Sequence, residues 1–167
     1  MAHAFILVSL LTLLWGCVDL SDIPTDSELQ SRFLSNKEDF MRLVQMSDED
    51  QHVVVILDNL TRLDSDWSWP RTNIGFSKER WKQYRTIFHK LDIEGVSRPE
   101  PYPSAVLIIV YASGGAVASV EKGLVYSQSP LTPIVKSLDV YPPTDRAGHS
   151  IAFKPLENSW YMYRDQE

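Results

Sequence analysis

Cysteine is almost absent: Cys17 is the only one in 167 residues. A single thiol excludes an intramolecular disulfide and any C-x-x-C redox or metal pair. Glycine is scarce at seven, and the ten prolines follow no fixed period, so collagen-like and glycine-rich repeats are excluded. Basic residues number 16 against 22 acidic ones, a formal charge of −6. No Lys/Arg run relieves that balance, so the footprint of a phosphate-backbone binder is missing and no nucleic-acid partner is expected. No apolar run reaches the ~20 residues of a transmembrane helix. The signatures G-x-S-x-G, H-E-x-x-H, G-x-G-x-x-G and the P-loop are also missing. Nothing in the motifs calls for a metal or a cofactor.

What is present suits a globular chain: 44% hydrophobic and 23% charged residues. A prior of roughly 150 residues per domain gives one domain. The first charged residue is Asp19, and Ala4 to Trp15 is almost wholly apolar. That run has the ~7–15 residues of a signal-peptide apolar region. It closes on Leu14-Trp15-Gly16-Cys17, which resembles the lipobox of bacterial lipoproteins. The resemblance implies a signal peptide over residues 1–16, cleavage before Cys17, and a diacylglyceryl group on its sulfur. Residues 17–26 then form the lipidated cysteine and a polar tether, and residues 27–167 a single domain. Two or three acyl chains anchor stably where one does not, at ~0.8 kcal/mol per buried CH₂. Val18 follows the cysteine where an inner-membrane retention signal has Asp, so the resemblance favours the outer membrane, facing the periplasm.

Along the remaining chain, Ser35-Asn36-Lys37-Glu38 fits a capping box opening a helix with Phe40, Leu43 and Val44 on one stripe. Leu29 and Phe33 suit a short helix before it. Three acids at Asp48-Glu49-Asp50 oppose a helix dipole, so that helix is expected to end before them. Val53 to Ile56 is β-branched and reads as a strand. Ser77 caps the best helix, with Trp81, Tyr84, Phe88 and Leu91 recurring on one side and Gly95 as its stop. Ala105 to Ala112 reads as a central strand, Ser113-Gly114-Gly115 as a turn, and Val117 to Tyr126 as the return strand with Gly123 a bulge. Residues 127–148 hold four prolines, with one helical turn near Leu138. Ser150 to Lys154 and Trp160 to Tyr163 close the chain as strands. The expected class is α+β: a twisted antiparallel sheet of about five strands with two main helices on one face. Its buried side would use Phe40, Leu43, Trp81, Tyr84, Phe88, Leu107, Ile109, Ile151, Phe153 and Trp160.

Chemistry-bearing residues are few. His52, His89 and His149 are the histidines after the apolar run. His89 and Asp92 are helical neighbours at i, i+3, a spacing that can orient an imidazole. Asp64 and Asp66, like Asp48 to Asp50, offer oxygen ligands but lack the register of a calcium loop. Arg80 and Arg85 flank the aromatic stripe and could meet an anion or simply be solvated. Trp67 and Trp69, at i and i+2, share one face of an extended backbone in a polar loop. With Arg71 they make an interface-like surface, unless the loop folds back over the sheet edge. Tyr161 and Tyr163 share the face opposite Trp160 and Met162, so they form either an exposed pair or the lining of a cleft.

These readings converge on an envelope lipoprotein, held in the bilayer through Cys17, whose domain binds an envelope protein or a small ligand without catalysis. An immunity-type lipoprotein facing a basic toxin is one variant. The alternative class is a small periplasmic hydrolase using a His/Asp pair.

Overall fold

A computed structural model describes residues 23–59, 61–62, 75–99, 102, 104–114, 119–140 and 149–166. Thr25 opens the first helix, α1 (Asp26–Ser35). Its hydroxyl accepts from the Glu28 amide, and the Glu28 carboxylate accepts from the Thr25 amide, which completes a capping box. The box therefore stands at Thr25–Glu28, ten residues before the expected Ser35–Glu38. Ser35 instead ends α1, and Asn36 alone separates it from α2 (Lys37–Glu49) with no side-chain cap. The helix start also shortens the expected tether, because Asp26 is already helical and buried.

The acids at the end of α2 do not stop it early. Each has a cationic partner: Arg98 pairs with Asp48, and Arg80 reaches Glu49 at 2.6 Å and Asp50 at 2.7 Å. These guanidinium groups offset the unfavourable end of the dipole. Arg80 is thus committed within the fold. Ser77 caps α3 (Lys78–Leu91), its hydroxyl accepting from the Arg80 amide, and Asp92 in the left-handed region ends it.

The strands are β1 (Val55–Leu57), β2 (Thr61–Arg62), β3 (Gly95–Ser97), β4 (Val106–Gly114), β5 (Ser119–Tyr126), β6 (Ser150–Glu157) and β7 (Trp160–Gln166). They form one antiparallel sheet in the order β2-β1-β3-β4-β5-β7-β6. The class is α+β, as the patterning predicts, with three helices and two more strands than expected. Both additions are short. β3 begins at Gly95, where a helix stop was expected; Asp92 has already turned the chain.

Gly123 does not itself bulge. The register slips between Ile109 and Tyr111 of the partner strand, and a Cβ on Gly123 would stand 2.1 Å from the Ile108 carbonyl oxygen. Only glycine lets the bulged strand approach so closely.

Three helices cover one face. Phe33, Phe40 and Trp160 meet there, with Phe33 and Trp160 rings 5.1 Å apart, and Tyr84, Phe88, Val106, Ile108, Leu124 and Met162 share the same core. Leu107 and Phe153, expected on this face, belong to the opposite one with Ala105, Val125, Leu131 and Tyr163; Ile151 packs against that second cluster. Ile109, paired with Gly95 and Gly123, shares that opposite phase. A strand apolar on both faces carries no signal for which residues point which way.

Residues 127–140 form an irregular strap without a helix, with a turn at Asp139 and Val140. Ser127 starts it, Leu131 enters the second cluster, and Val135 and Pro133 bond Phe153 at the β6 edge. Leu138 then enters the helix-side core. There the strap meets α1. The Leu138 amide donates to Asp26 Oδ2 at 3.0 Å, and the Asp26 amide donates to Asp139 Oδ1 at 2.9 Å. Lys154 Nζ bonds Asp26 Oδ2 at 3.0 Å, and Lys122 Nζ, 1% exposed, bonds Asp139 at 2.7 Å and stands 3.1 Å from Asp26 Oδ1. Burial raises the Asp26 pKa, but the Leu138 amide and the two lysines outweigh it and hold the carboxyl at about 2. Arg164 lies beside this clasp and donates to the Leu138 carbonyl.

Candidate functional site

The face without helices carries a cross-strand row: Leu57, Gly95, Ile109, Gly123, Tyr163 and Phe153, in successive strands from β1 to β6. Ile109 lies between two glycines, and the Leu57 side chain leans over Gly95, where a Cβ would stand 2.6 Å from Leu57 Cδ2. Toward β1 lies a groove of about 250 Å³ lined by Val55, Leu57, Glu94, Ser97, Ile109, Ala112 and Glu121. Its floor is apolar, and two carboxylates stand on its walls.

At the β5 end, Glu121 faces Asp165 directly across the β5–β7 pairing. Burial pushes the Glu121 carboxyl up; a hydrogen bond from the Tyr163 hydroxyl counters this, and the neighbouring Asp165 charge adds to it. Burial also pushes the Tyr163 phenol well above its ordinary value, and the Glu121 charge adds to that. His149 Nε2 lies 2.9 Å from Asp165 Oδ1, at ion-pair distance. Of the two facing carboxyls, Glu121 is pushed toward its neutral form by burial, and Asp165 has the His149 imidazole beside it. The arrangement can accept hydrogen bonds from an amine or guanidinium whose carbon body rests on Ile109 and Ala112.

Among the residues singled out in the sequence, Tyr163 is fully buried, so its ring is closed to a partner and its hydroxyl serves Glu121. Tyr161 is partly buried on the same cluster. The expected alternation holds, with Trp160 and Met162 on the helix face. Cys17, Trp67, Trp69, Arg71, Asp64 and Asp66 lie outside the described residues. His89 pairs with Asp58, at 2.7 Å, rather than with its helical neighbour Asp92. Arg85 bonds the same Asp58 oxygen at 2.8 Å and holds its carboxyl low, with His89 adding to the effect. The two His–Asp pairs stand apart: Asp58 follows β1, and Asp165 lies in β7, with β3, β4 and β5 between. Among the described residues, neither His89 nor His149 is bonded to a Ser or Thr hydroxyl, and no group of three or more His, Cys, Asp or Glu side chains could hold a metal ion.

Sequence reasoning missed Glu121, Asp165 and the whole Asp26 clasp. Consecutive Glu121 and Lys122 point to opposite faces of one strand, and no local pattern announces that Lys122 is buried and Glu121 half-buried. No family model, no curated protein and no solved structure matches the chain.

Proposed function

We propose that this chain is an envelope lipoprotein, anchored in the outer membrane through acylated Cys17 and facing the periplasm, whose domain works by binding. The observation that carries the anchor is Cys17 itself, placed at the close of a short apolar run in Leu14-Trp15-Gly16-Cys17. Helix α1 starts nine residues after Cys17, so the domain would follow its anchor with little intervening chain.

The binding reading draws on the groove beside Ile109. Its apolar floor and acidic walls suit a ligand, small or carried by an envelope protein, that joins a cationic group to an apolar body. An immunity-type role is one form of this reading, since a basic partner would meet Glu94 and Glu121. The hydrolase alternative rests on the two His–Asp pairs, and it needs a nucleophile at the far side of an imidazole.

The anchor is tested by the intact mass of protein recovered from membranes, wild type beside Cys17→Ala. A chain starting at Cys17 with added fatty-acyl mass, lost in the variant, is the expected result. An unmodified chain cut elsewhere would sink the proposal.

A further inference from the structure

Three large apolar side chains are well exposed among the described residues: Leu34, Ile134 at 50% and Val140 at 79%. Two of the three lie on the strap. Their exposure is imposed by the backbone and not by looseness. Ile134 sits between Pro133, whose carbonyl accepts from Phe153, and Val135, whose amide donates to Phe153. Val140 follows Asp139, which is tied to the Asp26 amide and to Lys122. Between the two apolar positions stands Lys136, also exposed. The exposed positions of the strap thus include an apolar, a cationic and an apolar side chain at 134, 136 and 140, with Asp139, whose charge is paired to Lys122, beside Val140.

The position of this side relative to the chain's start is what gives it a partner. The described structure begins at Ile23, and Asp26 is bonded to Leu138 and Asp139 on the strap. Cys17 precedes Ile23 by six residues, a reach of about 20 Å even when fully extended. An acyl chain on Cys17 thus brings the Val140 end of the strap to the headgroup region. Apolar side chains flanking a lysine are the composition of an interfacial contact, and a lysine near the surface is drawn to anionic lipid. Resting on the reading of Cys17 as the lipid anchor, we infer that the strap is the membrane-facing surface of the domain, with Ile134 and Val140 seated among headgroups and Lys136 on anionic lipid. The bilayer then does more than hold the protein. It orients the sheet.

The test uses the full chain, produced in bacteria and recovered as the membrane form. Cys17 is the only natural cysteine, and its sulfur is occupied when acylated, so Val140→Cys or Ile134→Cys supplies one free thiol for an environment-sensitive fluorophore. Lys82→Cys, exposed on α3, is the comparison. In vesicles of phosphatidylethanolamine and phosphatidylglycerol, nitroxide-bearing lipids should quench labels at 134 and 140 several-fold more than at 82. Adding Lys136→Glu should reduce that difference. Equal quenching at 140 and 82, in protein whose mass carries the acyl groups, would overturn the docking surface and leave the anchor standing. Labels shielded from an aqueous quencher yet untouched by lipid nitroxides would also overturn it, by showing protein cover instead. A chain without acyl mass would overturn both.

Discussion

The two faces of the sheet use alternate residues of the same strands for opposite ends. On the helix face, Lys122 is buried against Asp26 and Asp139, and the Asp26 carboxyl is held down at about 2. On the other face, one residue earlier in β5, Glu121 is pushed up by burial, with the Asp165 charge adding to it. The first carboxyl has its counter-charges built in. The second is left wanting a cation. A buried charge with complete partners serves the fold, whereas a half-buried carboxyl without a counter-charge is a place for a cationic group to bind. The same division appears in the apolar groups. The helix face closes three helices over a continuous core, and the opposite face has a small cluster with an apolar-floored groove beside it.

The largest expected effect removes the backbone feature both faces share. Gly123→Ala places a Cβ 2.1 Å from the Ile108 carbonyl, and the bulge cannot yield without losing its pairing. A loss of more than about 3 kcal/mol is expected, read as a collapse of the urea midpoint.

Breaking only the helix face comes next. Asp26→Asn leaves Lys122 buried with one acid instead of two and should cost about 3 kcal/mol at neutral pH. Its pH dependence has a definite sign. The folded pKa of Asp26 lies below its unfolded value, so its contribution is full above about pH 5 and is lost as pH falls toward 2. The wild type should therefore lose stability through that window, and the variant should show a flatter acid limb.

The opposite face should respond the other way. Because the folded pKa of Glu121 is raised, its charge opposes folding once pH rises through that value. Glu121→Gln should stabilise the domain at pH 8, by under about 1 kcal/mol, and give no gain at pH 4. Thermal unfolding at the two pH values reads this directly. Tyr163→Phe keeps the ring in its cluster but removes the hydrogen bond that lowers the Glu121 pKa. The Glu121 titration midpoint, followed by NMR, should then move further up.

Sharpening the comparison takes the gentlest change. Ala112 is exposed on the groove wall, so Ala112→Phe should alter stability by no more than about 0.5 kcal/mol while filling the groove. A binding loss without a stability loss would separate the two faces cleanly.

Much of the fold could be read from the sequence because its signals are local. The Trp81, Tyr84, Phe88 and Leu91 stripe, the Ser77 cap and the apolar run at Ala105 each announce themselves within a dozen residues. The mistakes fall where two patterns compete or where partners are distant. Thr25–Glu28 and Ser35–Glu38 both match a capping box, and only the former is flanked by an extended cap residue. The α2 acids looked like a stop because Arg80 and Arg98, which neutralise them, lie far along the chain. The site was less legible than the fold. Glu121 and Asp165 are 44 residues apart, and only β5–β7 pairing makes them neighbours. Asp26 read as tether because nothing near it in sequence shows the two lysines that surround it.

The most direct test of the working face is photo-cross-linking in intact cells from position 112, in the groove, against position 82 on α3. A discrete adduct from 112, absent from 82 and weakened by Glu121→Gln, is the predicted result. Identical patterns from the two positions, or an adduct from 82 alone, would contradict it and would make the groove a by-product of the bulge in β4.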